Sequence, residues 1–410
     1  MVGGTAVVCS NATGPTGDDY SDMSKFMSRG RFGTGNGLAP GDIVIFTDRG
    51  GAFDDVSTPA VDGITIHGEA GHIPTMTAIQ FLSRSDWEAY DLIIAGGTGA
   101  YGVRCTGVSS GNYFHDLTIS CGTTYALYGE HHTGLHVRNV HVTTCPTNGI
   151  IARGCPSVVI ANCQVDDYAK SSGNYDGIAV FADATLATAG TVRGCTVSAP
   201  TQRNYAANGS AFDCSTSDAG HDAVVSFRAC TAVNAYNGFS CSGDDRAGDI
   251  VTYHGCRSVT ATSASFYIYE AVTANLYNCS GDTSIQVQVA GSDVDLTMTN
   301  CAFIVTAGGE AFAVDRTLLN SFTADYNRYL GGTDGIIKDI GEGYENTIAG
   351  WRTTTGQEAH SDFSAVVSQV GLWVAGVVAN DDMPLPLHPD IGAVQNRNLA
   401  GRKTAVSGTL

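Results

Sequence analysis

Between residues 117 and 327 the chain alternates apolar and polar positions in short runs, each ending in a small residue or asparagine followed by a compact anchor. Six anchors are cysteines: Ile160-Ala161-Asn162-Cys163, Val192-Arg193-Gly194-Cys195, Phe227-Arg228-Ala229-Cys230, Tyr253-His254-Gly255-Cys256, Leu276-Tyr277-Asn278-Cys279 and Met298-Thr299-Asn300-Cys301. The same slot extends back to Leu117 and Val140 and forward to Asn327, with steps of 23, 23, 32, 35, 26, 23, 22 and 26 residues. Three and five residues before the anchor stand Val137/Leu135, Ile160/Val158, Phe227/Val225, Tyr253/Val251 and Met298/Leu296. Alternation with period two puts these side chains on one face of a strand, directed inward.

A period in the low twenties made of short strands predicts a solenoid with one coil per repeat. The chain lacks the Leu-x-x-Leu-x-Leu frame of leucine-rich repeats, so a parallel β-helix is the better fit. With coils about 4.8 Å apart, eight steps give a rod on the order of 40 Å long before its ends are capped. The residue before each anchor is Asn, Asp, Gly or Ala, types suited to a left-handed corner. Asn139, Asn162, Asn278 and Asn300 are expected to form part of an asparagine ladder there, satisfying corner backbone groups. The stacked cysteines read as small inward hydrophobes. Parallel side chains in a stack have poor torsional geometry for disulfides, so mostly free thiols are expected.

Composition agrees with this picture and narrows it. Of 410 residues, 51 are glycine and 10 proline, with 43% hydrophobic and 15% charged, which suits a large all-β core. Forty acidic against 21 basic side chains leave a net charge of −19, which argues against a nucleic-acid partner. The longest apolar stretch, 365–379, is interrupted and too short to cross a bilayer, so no membrane span is expected. The segment from Met1 to Cys9 has neither a basic lead-in nor a long apolar run, and no signal peptide is expected. None of the thirteen cysteines forms a Cys-x-x-Cys pair.

The Asn-cornered coils, the entry segment Ala39-Pro40-Gly41-Asp42-Ile43-Val44-Ile45-Phe46 and a closing segment together resemble the right-handed parallel β-helix proteins of the pectate-lyase-like superfamily, bacterial and phage type. The closing segment contains Asp325-Tyr326-Asn327-Arg328-Tyr329, the run from Gly350-Trp351-Arg352 to His360-Ser361, and His388-Pro389-Asp390-Ile391-Gly392-Ala393-Val394. The resemblance covers about residues 40 to 397. It implies a single helix of about nine or more coils with three parallel sheets: an N-terminal arm or cap over 1–40, the helix over 41–330, and a C-terminal cap and tail over 331–410. It also implies that substrates lie over the first sheet, although a fold of this kind hosts many functions.

The turns Thr147-Asn148-Gly149-Ile150, Tyr175-Asp176-Gly177-Ile178 and Tyr236-Asn237-Gly238-Phe239 locate that sheet. Asp176 shares its slot with Asn148 and Asn237, which favours a turn role for it. With Ile150, Ile178, Phe212, Phe239, Phe266 and Phe312 inward, two outward rows follow. One reads Tyr128, Ile151, Ala179, Asp213, Ser240, Tyr267, Gln286, Ala313. The other reads Glu130, Arg153, Phe181, Ser215, Ser242, Tyr269, Gln288, Asp315. Tyr128, Glu130, Arg153, Phe181, Tyr267, Tyr269 and Arg246 are the candidate glycan-binding residues, because rings stack on sugar faces and polar groups bond hydroxyls. An ordinary exposed sheet, in which Tyr and Gln simply favour strands, gives the same pattern.

Asp213, Asp183 and Asp245 are the candidate catalytic acids, since a glycosidase needs two carboxylates about 5–9 Å apart. Asp218 is expected to stack on Asp245, and Asp222 on Asp249. The same loop acids could instead hold Ca2+ through oxygen ligands, or be merely solvated; no other cofactor is indicated. Glu130-His131-His132 with His136 matches no tetrahedral metal pattern, and no metal site is assigned. The polygalacturonase motifs are echoed only loosely, without their Arg-x-Lys element.

Two functions follow as expectations. One is a bacteriophage virion protein on the tail or capsid surface, assembled in the host cytoplasm, which meets host or environmental glycans and forms a homotrimer or binds other virion proteins. The other is a polysaccharide hydrolase or lyase, in an extracellular setting, with its groove over the first sheet.

Overall fold

The computed structural model describes residues 6–10, 40–47, 56–57, 61–71, 73–95, 100–120, 124–168, 175–199, 209–216, 220–243, 248–270, 272–283, 285–305, 309–314, 319–330, 337–339, 343–345, 348–357 and 359–364. Asp218, Asp245, Arg246, Asp315 and the segments 365–379 and 388–394 lie outside the described residues. The described chain is an all-β right-handed parallel β-helix of about 10 coils, as the period predicts. Among the described residues no helix is long and apolar enough to cross a membrane.

Each coil contributes one strand to each of three sheets. Sheet 1 contains Asn148–Arg153, Ile178–Ala182, Ser210–Thr216, Asn237–Ser242, Ala264–Tyr269, Ile285–Ala290 and Glu310–Val314, paired in parallel in that order. Sheet 2 contains Ser157–Ala161, Thr188–Arg193, Ala223–Arg228, Asp249–His254, Val272–Tyr277, Val294–Thr299 and Leu319–Asp325. It also runs back through Glu88–Ile94 to Ile43–Thr47, where Ala6–Ser10 from the arm segment adds a further parallel strand. Sheet 3 is made of short strands such as Gln164–Asp166, Thr196–Ser198 and Thr231–Val233. The long strand Tyr125–Arg138 pairs with sheet 1 through its first half and with sheet 2 through its second, bending where His131 and Gly134 have φ of 55° and 75°.

The corner between sheets 2 and 3 explains the repeat. Asp116, Asn139, Asn162, Gly194, Ala229, Gly255, Asn278, Asn300 and Tyr326 all adopt left-handed backbone conformations, with φ from 51° to 64°. Their N–H groups reach the carbonyl one coil on, as Asn162 N does to Arg193 O (2.9 Å) and Gly194 N to Arg228 O (2.9 Å). The backbone therefore satisfies itself at this corner. Among the described residues the side-chain ladder is correspondingly limited to Asn139 Nδ2 donating to Asp116 Oδ1 (3.0 Å) and to a run in which Asn300 Nδ2 donates to Asn278 Oδ1 and Asn278 Nδ2 meets His254 Nε2 (3.3 Å).

Inside, the six anchor cysteines are buried free thiols. Their Sγ atoms donate to backbone carbonyls of their own coil and the preceding one, as Cys279 does to Tyr277 O and Tyr253 O, both at 3.4 Å. Beside them run two ring stacks, Phe212–Phe239–Phe266 (4.9 and 5.1 Å between centroids) and Phe227–Tyr253 (5.3 Å). Edge-to-face contacts join the stacks, the geometry favoured by the ring quadrupole. At the C-terminal end the helix Ile348–Thr355 buries Trp351 against Phe312 and Phe322, closing the apolar channel.

Candidate functional site

The register of sheet 1 aligns Ile150, Ile178, Phe212, Phe239, Phe266, Val287 and Phe312, all buried. Outward, one row reads Tyr128, Ile151, Ala179, Asp213, Ser240, Tyr267, Gln288, Ala313, and the other reads Glu130, Arg153, Phe181, Ser215, Ser242, Tyr269, Ala290. Both agree with the sequence reading except in one coil. There Gln288 takes the place expected for Gln286, and Ala290 that expected for Gln288. The other coils enter the sheet on a small residue, Gly149, Gly177, Ala211, Gly238, Ser265 or Ala311, where the next sheet leaves little room; a Cβ at Gly149 would lie 2.7 Å from Val165 Cγ1. Gln286 stands in that slot instead. It is buried, accepts Ser265 Oγ at 3.1 Å and donates to Ile304 O at 2.7 Å, so the coil lacks the small entry residue that marks the register in the others.

The face divides into two parts. In the first, outward side chains bury one another: Tyr128 is 8% exposed and Ile151 2%, packed with Tyr101, Tyr125 and Phe181. The Tyr101, Tyr125 and Tyr128 rings lie 4.9 to 5.5 Å apart, and the Arg104 guanidinium sits 4.6 Å from the Tyr101 ring. The Tyr128 hydroxyl donates to Glu130 Oε1 (2.9 Å); burial first, and then this carboxylate, push the phenol pKa up. Tyr128 and Glu130 thus meet each other here.

Next to them the buried Asp183 is the centre of a polar network whose other side chains, His131 and Arg153, are partly exposed. Its Oδ2 lies 2.7 Å from His131 Nε2 and 3.6 Å from Arg153 Nε, while Oδ1 accepts the N–H groups of Thr185 (2.8 Å) and Leu186 (3.0 Å). Burial raises the carboxyl pKa, but the two backbone donors and His131 outweigh it and hold the group below its ordinary value. Gly154 makes the approach feasible: its φ is 56°, and a Cβ would lie 2.8 Å from His131 Cδ2 and 2.9 Å from Asp183 Oδ2. Ligand atoms of Glu130, His131 and Asp183 fall within 4.8 Å of one another, the one convergence of three metal-ligating side chains among the described residues. An imidazole suits a transition ion better than calcium. Arg153, however, already stands at the same Asp183 oxygen, so the geometry is that of an ion-pair network. Of the sequence cluster, only Glu130 and His131 take part; His132 is buried with both ring nitrogens unpartnered, and burial lowers its pKa to about 4.

In the second part of the face, from Asp213 to Gln288, the outward side chains are polar or aromatic and, apart from the buried Ser240, at least partly exposed. Asp213 is half-buried and accepts from Ser240 Oγ; burial pushes its pKa up to about 6, against the pull of the Ser240 and Ser215 hydroxyls. Asp176 keeps the turn role its slot suggests: its N–H donates to Asn148 Oδ1 (2.8 Å) and its Oδ1 accepts Ser210 N (3.0 Å). Burial, and then the charge of Asp213, push its carboxyl well up. The acid coupled to Asp213 is thus Asp176. Asp183 stands four positions beyond Ala179, the register partner of Asp213, or about 13 Å along the strand direction. Beyond Ser240, Tyr267 and Tyr269 present rings with planes 9° apart and centroids 6.2 Å apart, and Tyr269 is 36% exposed. Asp249 does not stack on Asp222; it lies opposite Ala223 and accepts its N–H at 2.7 Å.

No protein-family model matches the chain, and no curated protein is detectably similar to it.

Proposed function

We propose that the protein engages an extended glycan along sheet 1, over the stretch from Asp213 to Gln288. The observation that carries this reading is the Tyr267–Tyr269 pair, two rings with nearly parallel planes on a partly exposed strand face bordered by Ser240, Ser242 and Gln288. Parallel rings offer stacking surface to successive sugars, and the hydroxyl and amide neighbours fix their orientation. The setting proposed is a bacteriophage tail or capsid surface, in the manner of the pectate-lyase-like β-helices, as a homotrimer. Buried free thiols along the rod suit assembly in a reducing cytoplasm.

A second reading, glycan cleavage, has one observation in its favour. Asp213 sits on the open face with a pKa near 6, the property of a carboxyl that holds its proton long enough to act as a general acid. Native electrophoresis of the full chain in gels cast with xylan, dextran, hyaluronate or polygalacturonate, with reducing-end assays alongside, tests both. Retardation in at least one gel that is lost in Tyr269→Ala supports glycan engagement; no retardation in any gel rejects it for these sugars. Cleavage lost in Asp213→Asn with retardation kept supports catalysis, and cleavage surviving that change removes Asp213 from the chemistry.

A further inference from the structure

Five large apolar side chains are exposed among the described residues, and two of them, Val224 (46%) and Ile250 (41%), stand side by side in register on the outer face of sheet 2. Ala189, also exposed, extends the group from the coil before. Isolated aliphatics are ordinary on a protein surface, but an adjoining group on a sheet face is a surface that a partner covers. The neighbouring outward row, Thr191, Ser226 and Thr252, is short-chained, so the middle of the face is low and admits close approach.

The charges of the same coil say what the partner is. Outward positions run Asp222, Val224, Ser226, Arg228, with the acid and the cation both exposed. Six positions separate those two, about 20 Å along the strand direction, so they do not reach each other within one chain. Arg228 gives one of its five N–H groups to Ser226 Oγ (3.1 Å). The face thus has an acidic, apolar edge and a basic edge at one height on the rod. A second copy, turned about an axis parallel to the rod, presents its basic edge to the acidic edge of the first at that same height. Every copy in a closed ring is matched in the same way. We propose that the outer face of sheet 2 is the contact between copies of this chain, with rods parallel. Arg228 of one protomer pairs with Asp222 of its neighbour, beside the Val224 and Ile250 side chains. The proposal rests on the homotrimer stated above and names the face that holds it; in a ring of three, Thr191, Ser226 and Thr252 line the axis.

Light scattering and sedimentation of the full chain over a range of concentrations test it. The wild-type chain is expected at the mass of three copies, and Val224→Glu with Ile250→Glu at the mass of one. Asp222→Arg and Arg228→Asp, each alone, are expected to raise the dissociation constant on the order of tenfold or more, since each sets like charges against each other across the contact. The two together restore opposite charges and are expected to return association to the wild-type level. Because the two sites lie too far apart to meet in one chain, such recovery reports a contact between copies. Both are exposed, so the recovery is read without disturbing the core. Association that survives the Val224 and Ile250 changes, or single reversals that the second does not correct, overturns this face and leaves the homotrimer standing. A wild-type mass other than three copies overturns the homotrimer, and this proposal with it.

Discussion

Sheets 1 and 2 share one inward pattern but differ in how their outer faces are built. On sheet 1 the outward side chains interact with one another: Tyr128 with Glu130, Arg153 and His131 with Asp183, Ser240 with Asp213. Several are buried although they point away from the channel. On sheet 2 the outward row carries Arg138, Arg193 and Arg228, all exposed, with Arg193 facing Arg228 in register. The difference teaches that outward on a strand does not mean available. Where outward side chains bury and bond one another, as from Tyr128 to Asp183, the face is a structural surface; the proposed ligand chemistry lies further along sheet 1, at Tyr267 and Tyr269.

The largest effect expected from breaking this contrast is at Asp183. Asp183→Ala strands His131, Arg153 and two backbone N–H groups and is expected to cost about 3–5 kcal/mol, whereas Arg228→Ala on sheet 2 is expected to change stability by less than about 0.5 kcal/mol. Urea unfolding of the two variants measures both. Glycines come next. Gly154→Ala drives a Cβ into His131 and Asp183 at φ 56° and is expected to cost about 3 kcal/mol. Gly255→Ala at φ 64° has nothing within 4 Å, and Ala229 already occupies the same corner, so about 1 kcal/mol of backbone strain is expected there.

The pH effects belong to sheet 1 and its margin, because arginines do not titrate in this range. Asp213 has a raised pKa in the folded chain, so from about pH 4 to 6 the folded state holds more protons than the unfolded. Its contribution is therefore full below pH 4 and is lost as the pH rises through about 6. His132 works in the opposite direction: its pKa is lowered to about 4, so the unfolded state holds more protons between about pH 4 and 6.5 and stability rises with pH across that window. Melting curves from pH 4 to 7 are expected to show Asp213→Asn removing a loss of about 1–2 kcal/mol, after allowance for solvent at its half-buried side chain. His132→Leu is expected to remove the opposing slope.

Much of the fold was legible because one coil repeats the demands of the next. Left-handed corners need Asn, Gly or a small residue, and the channel needs small and aromatic side chains in columns, so Cys163 to Cys301 and Phe212 to Phe266 mark both. The one slipped register is the coil that carries Gln286 in place of a small entry residue. The candidate acids were legible as residues but not as partners. His131 and Asp183 lie 52 positions apart, and what joins them is the left-handed turn at Gly154, which no local pattern announces. The basic row of sheet 2 was hidden by arithmetic: a total of −19 averages over faces that the coil register keeps apart.

Hydroxyl-radical footprinting of the full chain, saturated with whichever neutral or acidic polysaccharide it retains in the gel, tests the glycan assignment most directly. The account predicts reduced labelling of Tyr267 and Tyr269, with Tyr128 little labelled in either state because it is already buried. Unchanged labelling of Tyr267 and Tyr269 under saturation would contradict it.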